Sequence, residues 1–229
     1  MPLASEILAS GQRRVRLDRE PGIAGGSFVF ASQSCVICLL GIGVGLVLFG
    51  FNLWIPSNLR KLGFAEVTAD RVLRDSALIG LPFTFLVAWM YGFWSSKNTI
   101  IILTGLTAAS LLGFAVAGDL VVGNRVLLYA LLVIPIWGIN SVTAVLTVYS
   151  SEIYPTRIRS RGTGLAAGAS KAGGVLIITL VALGVTAPSL AGTTLVGGIP
   201  MALAAIAILL FGVETRNRRL EQITAQQFA

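Results

Sequence analysis

An all-α membrane protein of six transmembrane helices is the fold this sequence predicts, and three observations carry the prediction. Of the 229 residues, 55% are hydrophobic and only 12% are charged, against about 25% charged in a soluble domain. So few charges cannot coat a surface that faces water, and lipid must be the solvent for most of the chain. The apolar residues also gather into six runs, each near the length of about 20 residues that a helix needs to cross the hydrocarbon core. The runs are continuous rather than alternating with period two. That argues against the closed strand barrel, the one other structure that satisfies its own backbone in lipid.

The first span covers 34–54 and is rich in glycine (Gly41, Gly43, Gly45, Gly50). A polar segment, 56–74, precedes the second span, 76–94, which contains Pro82. The short turn Ser95-Ser96-Lys97-Asn98 leads to the third, 99–118, and the loop 119–125 to the fourth, 126–149, with Pro135 and Gly138 inside. The fifth covers 162–185 and the sixth 190–213, with Pro200 inside. The bundle, 33–213, is flanked by an N-terminal segment, 1–32, and a tail, 214–229. An even number of spans places both termini on one side. That side collects Arg13, Arg14, Arg16, Arg19, Lys97, Arg157, Arg159, Arg161, Arg216, Arg218 and Arg219. The excess predicts cytoplasmic termini in a multi-pass protein of the cell membrane. Arg60, Lys61, Arg71 and Arg74 oppose this from the other side.

The net charge of +7 does not point to nucleic acid, because the basic residues sit in short loops beside apolar spans. Segment 1–32 has no apolar run, so no cleavable signal peptide is expected there. The chain has no histidine, which excludes serine–histidine proteases, histidine-ligated haem and histidine-based zinc hydrolases built from this chain alone. Cys35 and Cys38 lie on one face of an apolar helix and are expected to pack rather than react. No metal site and no cofactor are expected, and no enzyme: neither a carboxylate pair, a nucleophile–base set nor a phosphate loop is present.

After the fourth span comes Glu152-x-Tyr154-Pro155-Thr156-x-x-Arg159, then Arg161-Gly162-x-Gly164. In the fifth span stands Ala169-Ser170-Lys171-Ala172-Gly173-Gly174, and after the sixth Glu214-Thr215-Arg216, then Arg219-Leu220-Glu221. In this order the three segments resemble the second half of the major facilitator superfamily, in particular its sugar-porter and metabolite:proton-symporter branches. The resemblance implies one six-helix bundle of a major-facilitator-type fold, the C-terminal of two that flank a central site. It implies a secondary transporter for a small polar solute, a sugar or organic acid, coupled to protons by alternating access. The turn between the second and third spans departs from the family's D-R-x-G-R-[RK]: here it reads Gly92-Phe93-Trp94-Ser95-Ser96-Lys97. In the family that turn pairs with the Glu/Arg cluster to hold the cytoplasmic side closed, which implies a gate of Lys97, Glu152, Arg157, Arg159, Glu214 and Arg216. With its arginines gone, Lys97 is left to reach Glu152.

Single residues extend this reading. Lys171 is the one charge well inside a span, about 12 Å along it, and is a candidate contact for an anionic solute; a snorkelling lysine is the alternative. Tyr129, Asn140, Thr143 and Thr147 fall on one helical stripe and could face a polar cavity or bond to neighbouring helices. Asn52 and Trp54 are further cavity candidates, with an interfacial anchor the alternative for Trp54. Gly164 and Gly168 form a GxxxG that predicts close helix packing. The expected partners are the lipid bilayer, a small-molecule solute and either a separate N-terminal six-helix bundle or a second copy of the chain. The competing reading is a truncated, inactive half-transporter or a membrane interaction subunit.

Overall fold

The computed structural model describes residues 23–61, 66–117, 125–154, 156, 158–183 and 189–216. Arg157, the side chain of Tyr129 and the outer parts of both terminal segments lie outside the described residues. Helix α1 (Ile23–Gly45) runs through a π-helical turn (Leu46–Phe51) into α2 (Asn52–Lys61). Helix α3 (Glu66–Trp89) ends in a second π-helical turn (Met90–Trp94), followed by α4 (Ser96–Ala117), α5 (Arg125–Ile153), α6 (Arg159–Ala182) and α7 (Leu190–Phe211). Among the described residues there is no strand.

Among the described residues, five segments are long and apolar enough to cross a membrane: Ala31–Asn58, Ser96–Ala117, Ala130–Ile153, Arg159–Ala182 and Ala191–Phe211. The apolar part of α3 and its π-turn, Leu78–Trp94, is shorter, and the helix reaches back to the charged residue Glu66. Helices and apolar spans therefore differ in their limits. The first rod continues through Pro56 to Lys61, and α6 starts at Arg159 rather than at 162. Hydropathy marks where a helix leaves lipid, whereas the helix ends where its backbone hydrogen bonds stop.

Helix α4 packs against α7 and α5, α1 against α6 and α7, and α3 chiefly against α5. The core between them is apolar, with Leu40, Phe51, Leu111, Leu132, Ile139 and Ile208 all buried. The outer faces are apolar too: Leu81, Phe85, Trp89, Val175 and Leu210 are exposed, the pattern of a surface solvated by lipid. Pro135 has no N–H to give the carbonyl of Leu131. The hydroxyl of Ser110, on α4, donates to that carbonyl at 3.3 Å, so a proline defect in α5 becomes an inter-helix contact.

The start of α1 and the end of α7 meet at one end of the bundle, where the Gln33 amide donates to the Phe211 carbonyl. Ser34 and Tyr154 share a hydroxyl hydrogen bond of 2.9 Å at the same end. At the other end Asn58 Nδ2 donates to Thr193 Oγ1 at 3.0 Å, wholly buried, and Ser189 caps α7 by accepting from the Gly192 amide. Cys35 is exposed and Cys38 half-buried, both free thiols.

The closest helix crossing is between α1 and α6. A Cβ on Gly45 would lie 2.0 Å from the Ser170 carbonyl oxygen, and one on Gly173 would lie 2.5 Å from the Ile42 carbonyl oxygen. Gly164 and Gly168, which the GxxxG spacing marks for close packing, have nothing within 4 Å of such an added atom. They lie on the open side of α6; Gly168 is level with the crossing but on another face of the helix. Gly45→Ala is therefore expected to lower stability by about 1–3 kcal/mol through overpacking. Gly164→Ala should leave it unchanged or raise it by up to about 1 kcal/mol, the helix propensity difference. Denaturant titration in mixed micelles reads both.

Candidate functional site

At the end of the bundle where α1 begins and α7 ends, the chain leaves α7 as an extended strap, 212–216. The strap ties together the ends of α3, α4 and α5. The Tyr149 hydroxyl donates to the Val213 carbonyl and accepts from the Val213 amide, at 2.9 Å each. Glu152 Oε2 accepts from the Tyr91 hydroxyl at 2.7 Å and from the Thr215 hydroxyl at 2.6 Å. Glu214 Oε1 accepts from the amides of Ser96 and Arg216 at 3.0 Å each, and its Oε2 accepts from the Ser95 hydroxyl. Arg216 Nη1 donates to the Trp94 carbonyl at 2.6 Å.

The logic is that of a helix N-terminus. The first amides of α4 have no partner within the helix. Ser95 serves as the N-cap, its Oγ accepting from the Asn98 amide at 3.0 Å. Glu214 adds a carboxylate at the positive end of the helix dipole. Burial works against its charged form, but hydrogen bonds from Ser95 and from the amides of Arg216, Ser96 and Lys97 outweigh that, and the carboxyl titrates below its usual range.

Of the expected gate residues, Lys97, Glu152, Glu214 and Arg216 lie at this end, but Lys97 and Glu152 do not form the expected pair. Lys97 makes no ion pair with Glu152; its backbone amide faces Glu214 instead, and Glu152 is held by Tyr91 and Thr215. Arg159 opens α6, and its Nε, like that of Arg216, is buried without a hydrogen-bond partner. The neighbouring Tyr154 ring covers Gly162 so closely that a Cβ there would lie 2.0 Å from it. Tyr91, Ser95, Tyr149 and Thr215 carry much of the clasp; Ser95 and Thr215 stood in the segments quoted from the sequence without a role, and Tyr91 and Tyr149 were not marked, a tyrosine near the end of an apolar run being their signal.

Above the clasp, a pocket of about 350 Å³ opens between α3 and α5. Val87, Ala88, Ala144, Val145 and Val148 supply apolar walls, and Thr84, Asn140, Ser141 and Tyr91 the polar points. Thr84 donates to the Gly80 carbonyl at 3.3 Å, which leaves Asn140 and Ser141 as the freer groups. Asn140 donates from Nδ2 to the Ile136 carbonyl at 2.8 Å, and its amide oxygen remains an acceptor. Thr143 and Thr147 turn their hydroxyls back to the carbonyls of Ile139 and Thr143 and do not line the pocket. Nor does Trp54, which is buried in a small cluster with Leu46 and Ile177. Asn52 follows the first π-turn, half-buried, its amide bonded to the Phe49 carbonyl. Lys171 is exposed on α6, with Nζ 5.3 Å from the centroid of the Phe49 ring, close enough for a cation–π contact. Among the described residues no cluster of metal-ligating side chains occurs.

An all-helical membrane bundle with a pocket within its spans and a polar clasp at one end is the architecture of a membrane carrier. Residues 76–226 match the family described as sugar (and other) transporter, and the chain belongs to that family of the major facilitator superfamily. It is similar to the niacin transporter NiaP of Acinetobacter baylyi, 27% identical over 197 residues, which are 85% of this chain and 43% of that protein. It is also similar to a Bacillus subtilis protein provisionally named as the niacin/nicotinamide transporter NiaP, at 29% over 177 residues, 76% of this chain and 42% of the relative. A third relative is YdjK of Escherichia coli, provisionally named a metabolite transport protein, at 26% over 203 residues, 86% of this chain and 41% of the relative. The chain thus spans about two fifths of the length of these relatives.

The depressed titration of Glu214 sets a pH dependence. A carboxyl whose folded-state pKa lies below its unfolded value stabilises the fold above the unfolded pKa, and that stability is lost as pH falls through the folded pKa. The strap is expected to stay protected from amide exchange from neutral pH to about pH 4, the unfolded carboxylate range, and to lose protection below it. Glu214→Gln should abolish this acid transition and cost about 1 kcal/mol at pH 7, the usual worth of a helix cap. Hydrogen exchange of residues 212–216 against pH measures both.

Proposed function

We propose that the chain is the C-terminal six-helix half of a secondary carrier that moves a small organic acid by alternating access driven by protons. The observation that carries this reading is the coincidence of a mostly apolar pocket at Asn140 with an exposed cation, Lys171, at a similar depth. Asn140 lies 13 residues from the Ile153 end of α5 and Lys171 lies 12 from the Arg159 start of α6. Both are therefore about 18–20 Å along their helices from the clasp. A sugar presents a hydroxyl on nearly every carbon and needs matching polar groups, which this lining supplies sparsely. A flat, weakly polar ring with one carboxylate suits it better: apolar walls for the ring, the Asn140 amide for a ring atom, and Lys171 for the anion. The niacin named for the Acinetobacter relative is such a molecule, a pyridine carboxylate.

In this reading the clasp end and both termini face the cytoplasm of the cell membrane, and Arg157, Arg159, Lys97 and Arg216 lie on that side. The central site is completed by an N-terminal six-helix bundle or by a second copy of the chain. The coupling carboxylate belongs to that other bundle. The one acid beside the second span, Asp75, is exposed and bonded to Arg74 at 2.9 Å, which makes it a poor proton carrier.

In vesicles holding this chain with a six-helix N-terminal bundle of a relative, nicotinate uptake is expected to be saturable and to collapse on addition of a protonophore. Lys171→Gln should lower nicotinate uptake about tenfold, the loss of one charge-assisted contact, and change nicotinamide uptake less than about twofold. Equal uptake by wild type and Lys171→Gln would remove Lys171 from the site. Absence of any uptake would remove the carrier reading.

A further inference from the structure

We propose that Tyr91 couples occupancy of the α3–α5 pocket to closure of the clasp, through the π-helical turn Met90–Trp94. The inference rests on the reading of that pocket as a solute site.

Tyr91 belongs to both structures. It lines the pocket, and its hydroxyl donates at 2.7 Å to the Glu152 oxygen that also accepts from Thr215 of the strap. Among the described residues, no other side chain lining the pocket hydrogen-bonds to the strap or to Glu152 or Glu214. Tyr91 is thus the direct side-chain link between the two.

The turn that carries Tyr91 is the second observation. In Met90–Trp94 the chain is wound one residue wider than an α-helix, and the Met90 carbonyl accepts from the Ser95 amide five residues on, at 3.2 Å. Such turns are rare, appear mostly as single-turn bulges in α-helices, and are frequent at functional sites. Relaxing it to α-helix would shift the register by one residue, a rotation of about 100°, and would carry the Tyr91 hydroxyl away from Glu152. The turn is fixed at both ends of its function. Tyr91 is held by Glu152, while Arg216 holds the Trp94 carbonyl and Glu214 holds Ser95. It is a two-state element clamped between pocket and strap.

The direction of coupling follows from where the pocket exists. The cavity of about 350 Å³ is present with the Tyr91 hydroxyl on Glu152 and the Tyr91 residue as part of its lining. A solute that uses this wall binds the clasped state better than a state in which the wall has rotated away. Binding therefore shifts the population towards the clasped state, by no more than the difference in affinity. Release of solute loosens the strap.

The test uses the chain together with the six-helix N-terminal bundle of a relative in lipid nanodiscs, with hydrogen exchange of residues 212–216 as the readout and nicotinate as the probe, at concentrations that saturate each variant. Nicotinate is expected to slow exchange of the strap about tenfold in wild type and not at all in Tyr91→Phe, which keeps the ring and removes the hydroxyl. A second variant, Ala144→Leu, fills the pocket from within. It should slow strap exchange when Tyr91 is present and not when it is phenylalanine. The proposal is overturned if nicotinate binds both forms and protects the strap equally, or if Ala144→Leu acts equally in both. If nicotinate binds neither form but Ala144→Leu still protects only through Tyr91, the coupling stands and the organic-acid reading falls. If Ala144→Leu protects in neither background, the coupling falls whatever the solute.

Discussion

Hydrocarbon offers no hydrogen-bond partner, so each polar group in this bundle has to be answered from within the protein. Most features of the structure descend from that constraint. It makes the spans helical. It makes Pro135 tolerable only because Ser110 on the next helix reaches the carbonyl the proline leaves open. It turns the hydroxyls of Thr143 and Thr147 back to their own helix rather than outward. It also explains why polar side chains concentrate where helices end. There the orphan amides of α4 and the chain leaving α7 are answered by Glu214, Ser95 and Tyr149.

Among the described residues, the clasp is built from carboxylates facing hydroxyls and backbone amides rather than from ion pairs. Exposed ion pairs are weak and are screened by salt, whereas hydrogen bonds from a helix N-terminus are short-ranged and directional. A turn that has lost its arginines can therefore still be anchored, provided a carboxylate finds the helix end.

The parts of the fold that depend on mean polarity were legible in the sequence. The helical class follows from apolar runs alone. Helix limits were less so: Arg159 and Lys61 are helical although they are too polar to lie in lipid. Glycine spacing misled at Gly164 and Gly168, because the motif states which residues are small and not which side of the helix meets a neighbour. The contact fell on Gly45 and Gly173 instead. Of the site, Glu152, Glu214 and Arg216 were visible through their pattern. Their partners were not, because Tyr91 and Thr215 reach Glu152 from 61 and 63 residues away. No local spacing encodes such a pairing, and a π-turn has no sequence signature that hydropathy can detect.

The attachment of α3 bears on how the protein is assembled. Its apolar part, Leu78–Trp94, is shorter than the five spans and is preceded by charged turns. Its main packing surface belongs to α5, which begins at Arg125. During synthesis α3 therefore enters the membrane before the surface that will hold it has been made. Its apolar part is at the short end of what crosses the hydrocarbon core, so lipid alone holds α3 until its partner exists. The helix that carries Tyr91 thus gains its place in the bundle only once α5 has been made.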